Sequence, residues 1–442
     1  MGEKDLATPM RSRRTCQRVW TWFTLLALLA LLLFCMIVLR PPPAARAKLP
    51  GAVVLRNKNG VEVHVLPTGA VIHRLLLPDR DGQVEDVVLG MATEASYSDG
   101  SSPYFGAIVG RFANRIANAS FVLDGRTHRL NTNEGGFPGS LHGGTRGFDK
   151  VKWSAKWLDP NRLKNRLRFG LNRRRGEAVH LRHASPDGEE GYPGRLDAQI
   201  VYTLTDGVDG ESVGELIQTV TATTDAPTVV NMAQHSYFNL RSHAHAASVL
   251  EHELTMHTAE HVLPVDTHRI PTGHMLPVAS TPFDFTSGRP LGAAIQKVDG
   301  PGWRAGYDHC FVLHGLGGAD GGAHGGGRGR ARRKGGLPPP AADEGWWQST
   351  PKLAATLRDP ASGRTMEIAT NAPGLQLYTS NFLDGTLRGT KDGALYEKYA
   401  GVCLETQSFP DGPNRVPGAY PTGVLRPGEE YRHVTSYKFS AR

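Results

Sequence analysis

The chain of 442 residues is long enough to bury a large core, as one big β domain or two smaller domains. Hydrophobic residues make up 39% and charged residues 21%, which excludes wholesale disorder. The net charge of +8 does not mark a nucleic-acid-binding face, because most of the excess lies outside the body of the chain. Residues 1–40 carry Lys4, Arg11, Arg13, Arg14, Arg18 and Arg40 against Glu3 and Asp5, and residues 315–349 carry Arg328, Arg330, Arg332, Arg333 and Lys334 against Asp320, Asp343 and Glu344.

Trp20 to Leu39 is an uncharged run, long enough to cross the ~30 Å hydrocarbon layer as a helix. Arg11, Arg13, Arg14 and Arg18 precede it, while only Arg40 and Arg46 follow closely. The positive-inside rule therefore predicts a cytosolic basic tail over 1–19, a signal anchor over 20–39, and a luminal or extracellular remainder. A secreted chain is the alternative, since Ala45-Arg46-Ala47 has the small residues of a cleavage site, although the run exceeds the usual h-region of about 7–15 residues. Asn118-Ala119-Ser120 is a glycosylation acceptor if that part of the chain is luminal and exposed.

Pro41 to Pro43 open a linker over 40–50, and from Gly51 the texture changes to short apolar runs separated by Gly, Asn, Asp and Pro. Ala52–Leu55, Val61–Leu66, Val71–Leu77, Val87–Leu89, Phe121–Leu123, Leu167–Leu171, Ala198–Leu204, Glu215–Thr223 and Ala354–Leu357 read as strands of one all-β domain, sandwich or barrel, over 51–442. Residues 315–349 interrupt it with a Gly/Arg-rich tract that reads as a disordered insertion. The tract lacks the G-K-[ST] ending of a phosphate-binding loop.

Within Gly401 to Asn414 (GVCLETQSFPDGPN), one acid, Glu405, interrupts a strand-like run. Alternation puts it on the face opposite Leu404 and the same face as Cys403, near a strand end where the chain turns at Pro410-Asp411-Gly412. A functional carboxylate and one paired with a neighbouring Arg are both open readings. Three further segments, GRFANRI from Gly110, SLHGGTRG from Ser140 and NMAQHSYFNL from Asn231, with YDHCF from Tyr307, place Arg, His, carboxylate and aromatic groups among apolar strands. Each alone has a structural reading as ion pair, core histidine or turn cap. Together they suit a sugar, whose hydroxyls need donors and acceptors while its C–H faces need rings. The four cysteines show neither a disulfide framework nor zinc-finger spacing, and whether Cys310 and Cys403 pair is open.

These segments, with GRFANRIANASFVLDG, SLHGGTRGFDKVKW, HSYFNL, LPVD with IPTG, YDHCFVL, GLQLYTSNFLDG and LETQSFPDGPN in order, resemble the aldose 1-epimerases, also called galactose mutarotases. The resemblance runs from about Gly51 to the carboxyl end. It implies a large antiparallel β-sandwich, free hexoses such as glucose and galactose as substrates, and no metal or organic cofactor. It also implies Glu405 as general base, His235 as general acid, and Asn114, Arg115, His142, Tyr237, Asp308 and Gln376 around the sugar. Arg241-Ser242-His243 after HSYFNL departs from the family's small-residue turn. A carboxylate base with an imidazolium acid predicts a bell-shaped pH profile, low where Glu405 is protonated and low again where His235 is neutral. Competing readings are a glycosidase using Glu405 and Asp308, a sugar-phosphate epimerase with Arg111 or Arg146 turned inward, and an idle membrane-anchored sugar-binding module. A metal site among the histidines of His235 to His274, including His243 and His245, is a fourth.

Overall fold

The computed structural model describes residues 48–158, 176–207, 211–245, 248–298, 305–313, 346–415 and 420–442. The predicted tail, the span Trp20–Leu39, most of the linker and the strand Leu167–Leu171 lie outside the described residues. No helix among the described residues is long and apolar enough to cross a membrane.

The strands obey the two-residue period of a sheet with one face turned to a core. In Gly214–Thr224, Leu216, Val220 and Ala222 point inward into one large apolar cluster. Burying a leucine or valine side chain contributes about 1.5–3 kcal/mol. The strand sits inside a nine-stranded antiparallel sheet, in the order Ser154–Leu158, Gly176–Ser185, Leu196–Thr205, Gly214–Thr224, Tyr431–Ala441, Arg364–Thr370, Lys352–Arg358, Glu253–Met256, Arg289–Pro290. Facing it is a six-stranded antiparallel sheet, in the order Tyr237–Phe238, Val402–Gln407, Gly374–Tyr378, Asp308–Val312, His261–Val262, Leu276–Pro277. Leucines 375, 377 and 404 of this sheet join the same core as Leu216 and Tyr437 of the larger one. The all-β sandwich expected from the sequence is the observed fold, and among the described residues helical structure is confined to short 3-10 turns.

A buried polar cluster joins the two sheets behind the Val402–Gln407 strand. Thr406 Oγ1 lies 2.6 Å from Thr435 Oγ1 and 3.0 Å from His433 Nε2, and His433 Nδ1 donates to the Met232 carbonyl at 3.0 Å. Burial pushes His433 down to about 4, so its ring is neutral and Nε2 accepts.

Two boundaries differ from the sequence reading. Val87–Leu89 is not a strand of its own: Val87 N–H donates to Leu75 while Leu89 N–H donates to Tyr237, so the run crosses from a small four-stranded sheet to the six-stranded one. Residues 315–345 of the predicted insertion lie outside the described residues, whereas 346–349 at its end are described. Trp346–Gln348 form a 3-10 turn whose indoles pack on Tyr431 and His433, since two adjacent tryptophans have too much apolar surface to leave in solvent.

A second buried network lies apart from these elements. Lys391 Nζ, 1% exposed, donates to the carbonyls of His73 (2.8 Å) and Val88 (2.6 Å) and pairs with Asp86 at 2.8 Å. Arg74 reaches both Asp86 and Asp392, and Asp392 also meets His243. His243 is thus absorbed into an ion network with Tyr396. Arg241, the other departure from the family turn, pairs with Asp359 and Glu251.

Candidate functional site

Strand register assembles the site. Antiparallel pairing sets Gln376 opposite Glu405, and Cys310 opposite Gln376, while Tyr237 pairs with Cys403. Glu405 and Cys403 therefore share one face, with Leu404 turned into the core, as alternation requires. His235 enters just before Tyr237 and brings Nε2 to 3.6 Å from Glu405 Oε1, while its Nδ1 lies 3.6 Å from Cys403 Sγ. Tyr237 stacks on the imidazole at 5.1 Å and donates its hydroxyl to the Pro103 carbonyl. Its ring thus lies against the His235 imidazole, and its hydroxyl is engaged by the backbone.

The other predicted residues converge on this pair. His142 and Asn114 both have left-handed backbones, with φ of 52° and 62°, and they clasp each other. The Asn114 N–H donates to His142 Nδ1 at 3.2 Å, and the His142 N–H donates to the Asn114 carbonyl at 3.0 Å. Because Nδ1 accepts, the neutral ring carries its proton on Nε2 and presents a donor. Gly143 makes this approach feasible, since a Cβ there would meet the Gly110 carbonyl oxygen at 1.9 Å. Gln376 Nε2 donates to Asp308 Oδ1 at 2.7 Å, tying the two expected hydroxyl-binding groups together.

The geometry answers the question left open for Glu405. Its Oε2 is buried and, among the described residues, has no hydrogen-bond partner; Gln376 Oε1 in the facing strand is in the same condition. Arg115, whose charge bears on Glu405, is paired with Glu134 and not with Glu405: its Nε and Nη2 grip Glu134 at 2.8–3.1 Å. Buried acceptors without donors are costly and rare unless a ligand's donors meet them. Glu405 is no structural ion pair.

Electrostatics favours the uncharged forms. Burial, reinforced by Asp308, pushes Glu405 well above the carboxylate range, and Arg115 offsets only part of this. Burial pushes His235 down to about 4 against the opposing pull of Asp308, and holds His142 well below the ordinary imidazole range. This reverses which group was expected to titrate on which limb of the pH profile.

His142, His235 and Glu405 also form the group of potential metal ligands found among the described residues, with one ligand atom from each within 4.8 Å of the others. His142 Nε2 carries the ring proton, which argues for a hydrogen-bond donor over a metal ligand. Cys310 and Cys403 are both free thiols. Arg111 points away, its guanidinium donating to the carbonyls of Pro193, Gly194 and Pro186, and Arg146 is exposed, so neither forms an inward cationic pocket.

Three contributors were not among the expected site residues. Tyr104 packs on His142 at 4.6 Å and on His235 at 5.7 Å, from a segment that reads as a loop. Lys150 caps the Tyr104 ring at 5.0 Å. Glu134 sits in a Gly/Asn-rich stretch, yet it fixes Arg115 as a positioning residue. Glu134→Gln removes the charge and one of the two gripping oxygens, so KM for the substrate should rise roughly tenfold or more while kcat changes less. An unchanged KM in steady-state kinetics would dismiss that role.

A sandwich whose inner strands carry a buried carboxyl facing an imidazole, ringed by donors and acceptors, defines a site for acid–base chemistry on a polar ligand. The aldose 1-epimerase family model matches residues 51–438. The galactose mutarotase of Homo sapiens is 40% identical over 380 residues, covering 86% of this chain and 91% of that protein. The aldose 1-epimerase of Escherichia coli is 34% identical over 390 residues, covering 88% and 95%. Among solved structures, the aldose epimerase homologue from C. elegans superposes with a TM-score of 0.68 at 27% identity, covering 88% of this chain and 99% of that one. The galactose 1-epimerase from Lactobacillus acidophilus gives 0.64 at 26%, covering 88% and 95%. The chain belongs to the aldose 1-epimerase family.

Proposed function

We infer that this chain is a mutarotase, interconverting the α and β anomers of free aldohexoses such as galactose and glucose. The observation that carries the reading is the buried, unpartnered Oε2 of Glu405 beside the His235 imidazole. Opening a hemiacetal requires one proton to leave the anomeric hydroxyl and one to reach the ring oxygen. Glu405 takes the first and His235 supplies the second. The aldehyde then turns about C1–C2, and the same two groups run the steps backwards on the other carbonyl face. His142 and Arg115 stabilise negative charge on oxygen, while Asp308, Gln376 and Asn114 hold hydroxyls. Polarimetry with fresh α-D-galactose and α-D-glucose tests the reading. Equilibration no faster than buffer with both sugars would defeat it.

Proton bookkeeping reconciles this chemistry with the uncharged resting pair. A protonated Glu405 beside a neutral His235 holds the same single proton as a carboxylate beside an imidazolium, so the reacting form needs only an internal transfer. At low pH the pair takes up a second proton and no base remains; at high pH it loses its proton and no acid remains. With His235 pushed down to about 4 and Glu405 pushed up, the acid limb of kcat/KM should lie near pH 4 and the alkaline limb well above the carboxylate range. An acid limb near the ordinary imidazole value of about 6.5 would contradict this assignment.

We propose further that residues 20–39 anchor the chain with the catalytic domain in a lumen or outside the cell. The uncharged run and the excess of arginine on its amino-terminal side support this. Alkaline carbonate washing should leave the chain in the membrane pellet. Release into the wash would refute the anchor.

A further inference from the structure

We propose that Asn118 is an N-glycosylation site, carrying an oligosaccharide attached to its side-chain amide; this rests on the luminal or extracellular placement of the domain. The sequence contains one Asn-x-Ser/Thr triplet with x other than Pro, at Asn118-Ala119-Ser120. The fold puts it where a glycan can be carried. Asn118 and Ala119 are the two central residues of a turn between the strands Arg115–Ala117 and Ser120–Leu123, with φ of 54° and 44°, and the Ala119 N–H donates to Ile116. Asn118 is exposed while its neighbours Ile116, Ala119 and Phe121 are buried, so the amide stands outward from a packed base. Among the described residues that amide has no hydrogen-bond partner.

The base of the turn is held independently of the Asn118 side chain. Ala117 N–H donates to Asp411 Oδ1 at 2.9 Å, and Asn414 Nδ2 donates to the Ser120 carbonyl at 2.9 Å. The Asn118 amide can therefore be substituted without removing a contact that holds the fold. Asn tolerates positive φ, so turn geometry alone accounts for an Asn or Gly at 118; it does not call for a hydroxyl at 120. Asparagine in an exposed turn with that hydroxyl two residues on is what an acceptor site requires.

The co-reactant is a lipid diphosphate-linked oligosaccharide of the secretory lumen. The Asn118 amide nitrogen forms a bond to the anomeric carbon of the first sugar, the bond from that carbon to the diphosphate oxygen breaks, and the amide proton leaves as the lipid diphosphate departs. No electron transfer is involved.

The test expresses the full chain in eukaryotic cells and treats it with peptide-N-glycosidase. Ser120→Ala leaves the Asn118 turn intact and should abolish the mobility shift, whereas Ser120→Thr should keep it. Mass spectrometry should find aspartate at position 118 in the digested parent, and mutarotase activity should not change in Ser120→Ala. A second chain carries Asp81→Asn with Gln83→Thr, which creates a control acceptor in the exposed turn around Gly82, where nothing lies within 4 Å of an added Cβ. If the parent is unshifted but the control chain is shifted, the domain is luminal and the Asn118 site is wrong. If neither shifts, the placement of the domain fails and the site fails with it.

Discussion

Glu405→Gln and His235→Asn should each slow anomer interconversion by roughly 10²–10⁴-fold in kcat, with KM moving little. Gln at 405 keeps the shape and a hydrogen-bonding oxygen but cannot take the anomeric proton. Asn at 235 keeps a donor but cannot release a proton to the ring oxygen. The groups lie 3.6 Å apart and share one proton, so they act as a unit, and the double variant should be little worse than the worse single one. Polarimetry on freshly dissolved α-anomer reads this directly. A single variant that retains more than about a tenth of the parent rate would remove its residue from the acid–base pair.

The second large effect is on stability. Lys391→Met takes one of the two cations from Asp86, leaving Arg74, and removes the ammonium that donates to the buried carbonyls of His73 and Val88. Burial already pushes this ammonium down to about 8 against the pull of Asp86, so the charge survives at neutral pH only because its partners are in place. Removing one partner from such a network typically costs about 3–5 kcal/mol. The urea midpoint should fall accordingly, while a substitution at the exposed Asp124–Arg426 pair should not move it. An unchanged midpoint in Lys391→Met would mean that the methionine stem fully replaces the network.

What could be read in advance and what could not divide along a physical line. Glu405 was visible because a carboxylate in an apolar strand run is costly, and its face followed from the two-residue period. The strand runs that fall within the described residues were visible from the same period, except where Val87–Leu89 changes sheets. Contacts between distant parts of the chain leave no such trace: Lys391 meets the carbonyl of His73 318 residues away. Glu134 is of the same kind, since nothing local shows that Arg115 will fold against it. Tyr237 was expected at the sugar, and its aromatic type was consistent with that; only tertiary packing reveals that its hydroxyl is spent on Pro103. Arg111 and Arg146 could not be told apart by sequence, yet one is buried on carbonyls and the other faces solvent.

The hydroxyl–imidazole cluster behind Thr406 bears on how sugar preference could change. A slip of one residue in the Val402–Gln407 strand would swing Glu405 into the apolar interior and present Thr406 to the substrate. The bonds from Thr406 to Thr435 and His433 on the opposite sheet forbid that slip, and they clamp the floor of the site from below. A clamped floor cannot remodel itself around a different hexose. Adaptation to new sugars is thereby confined to the rim, where Phe382 is 43% exposed and Arg269 lies over its ring at 4.8 Å. Rim segments can be exchanged while the proton-transfer chemistry beneath them stays fixed.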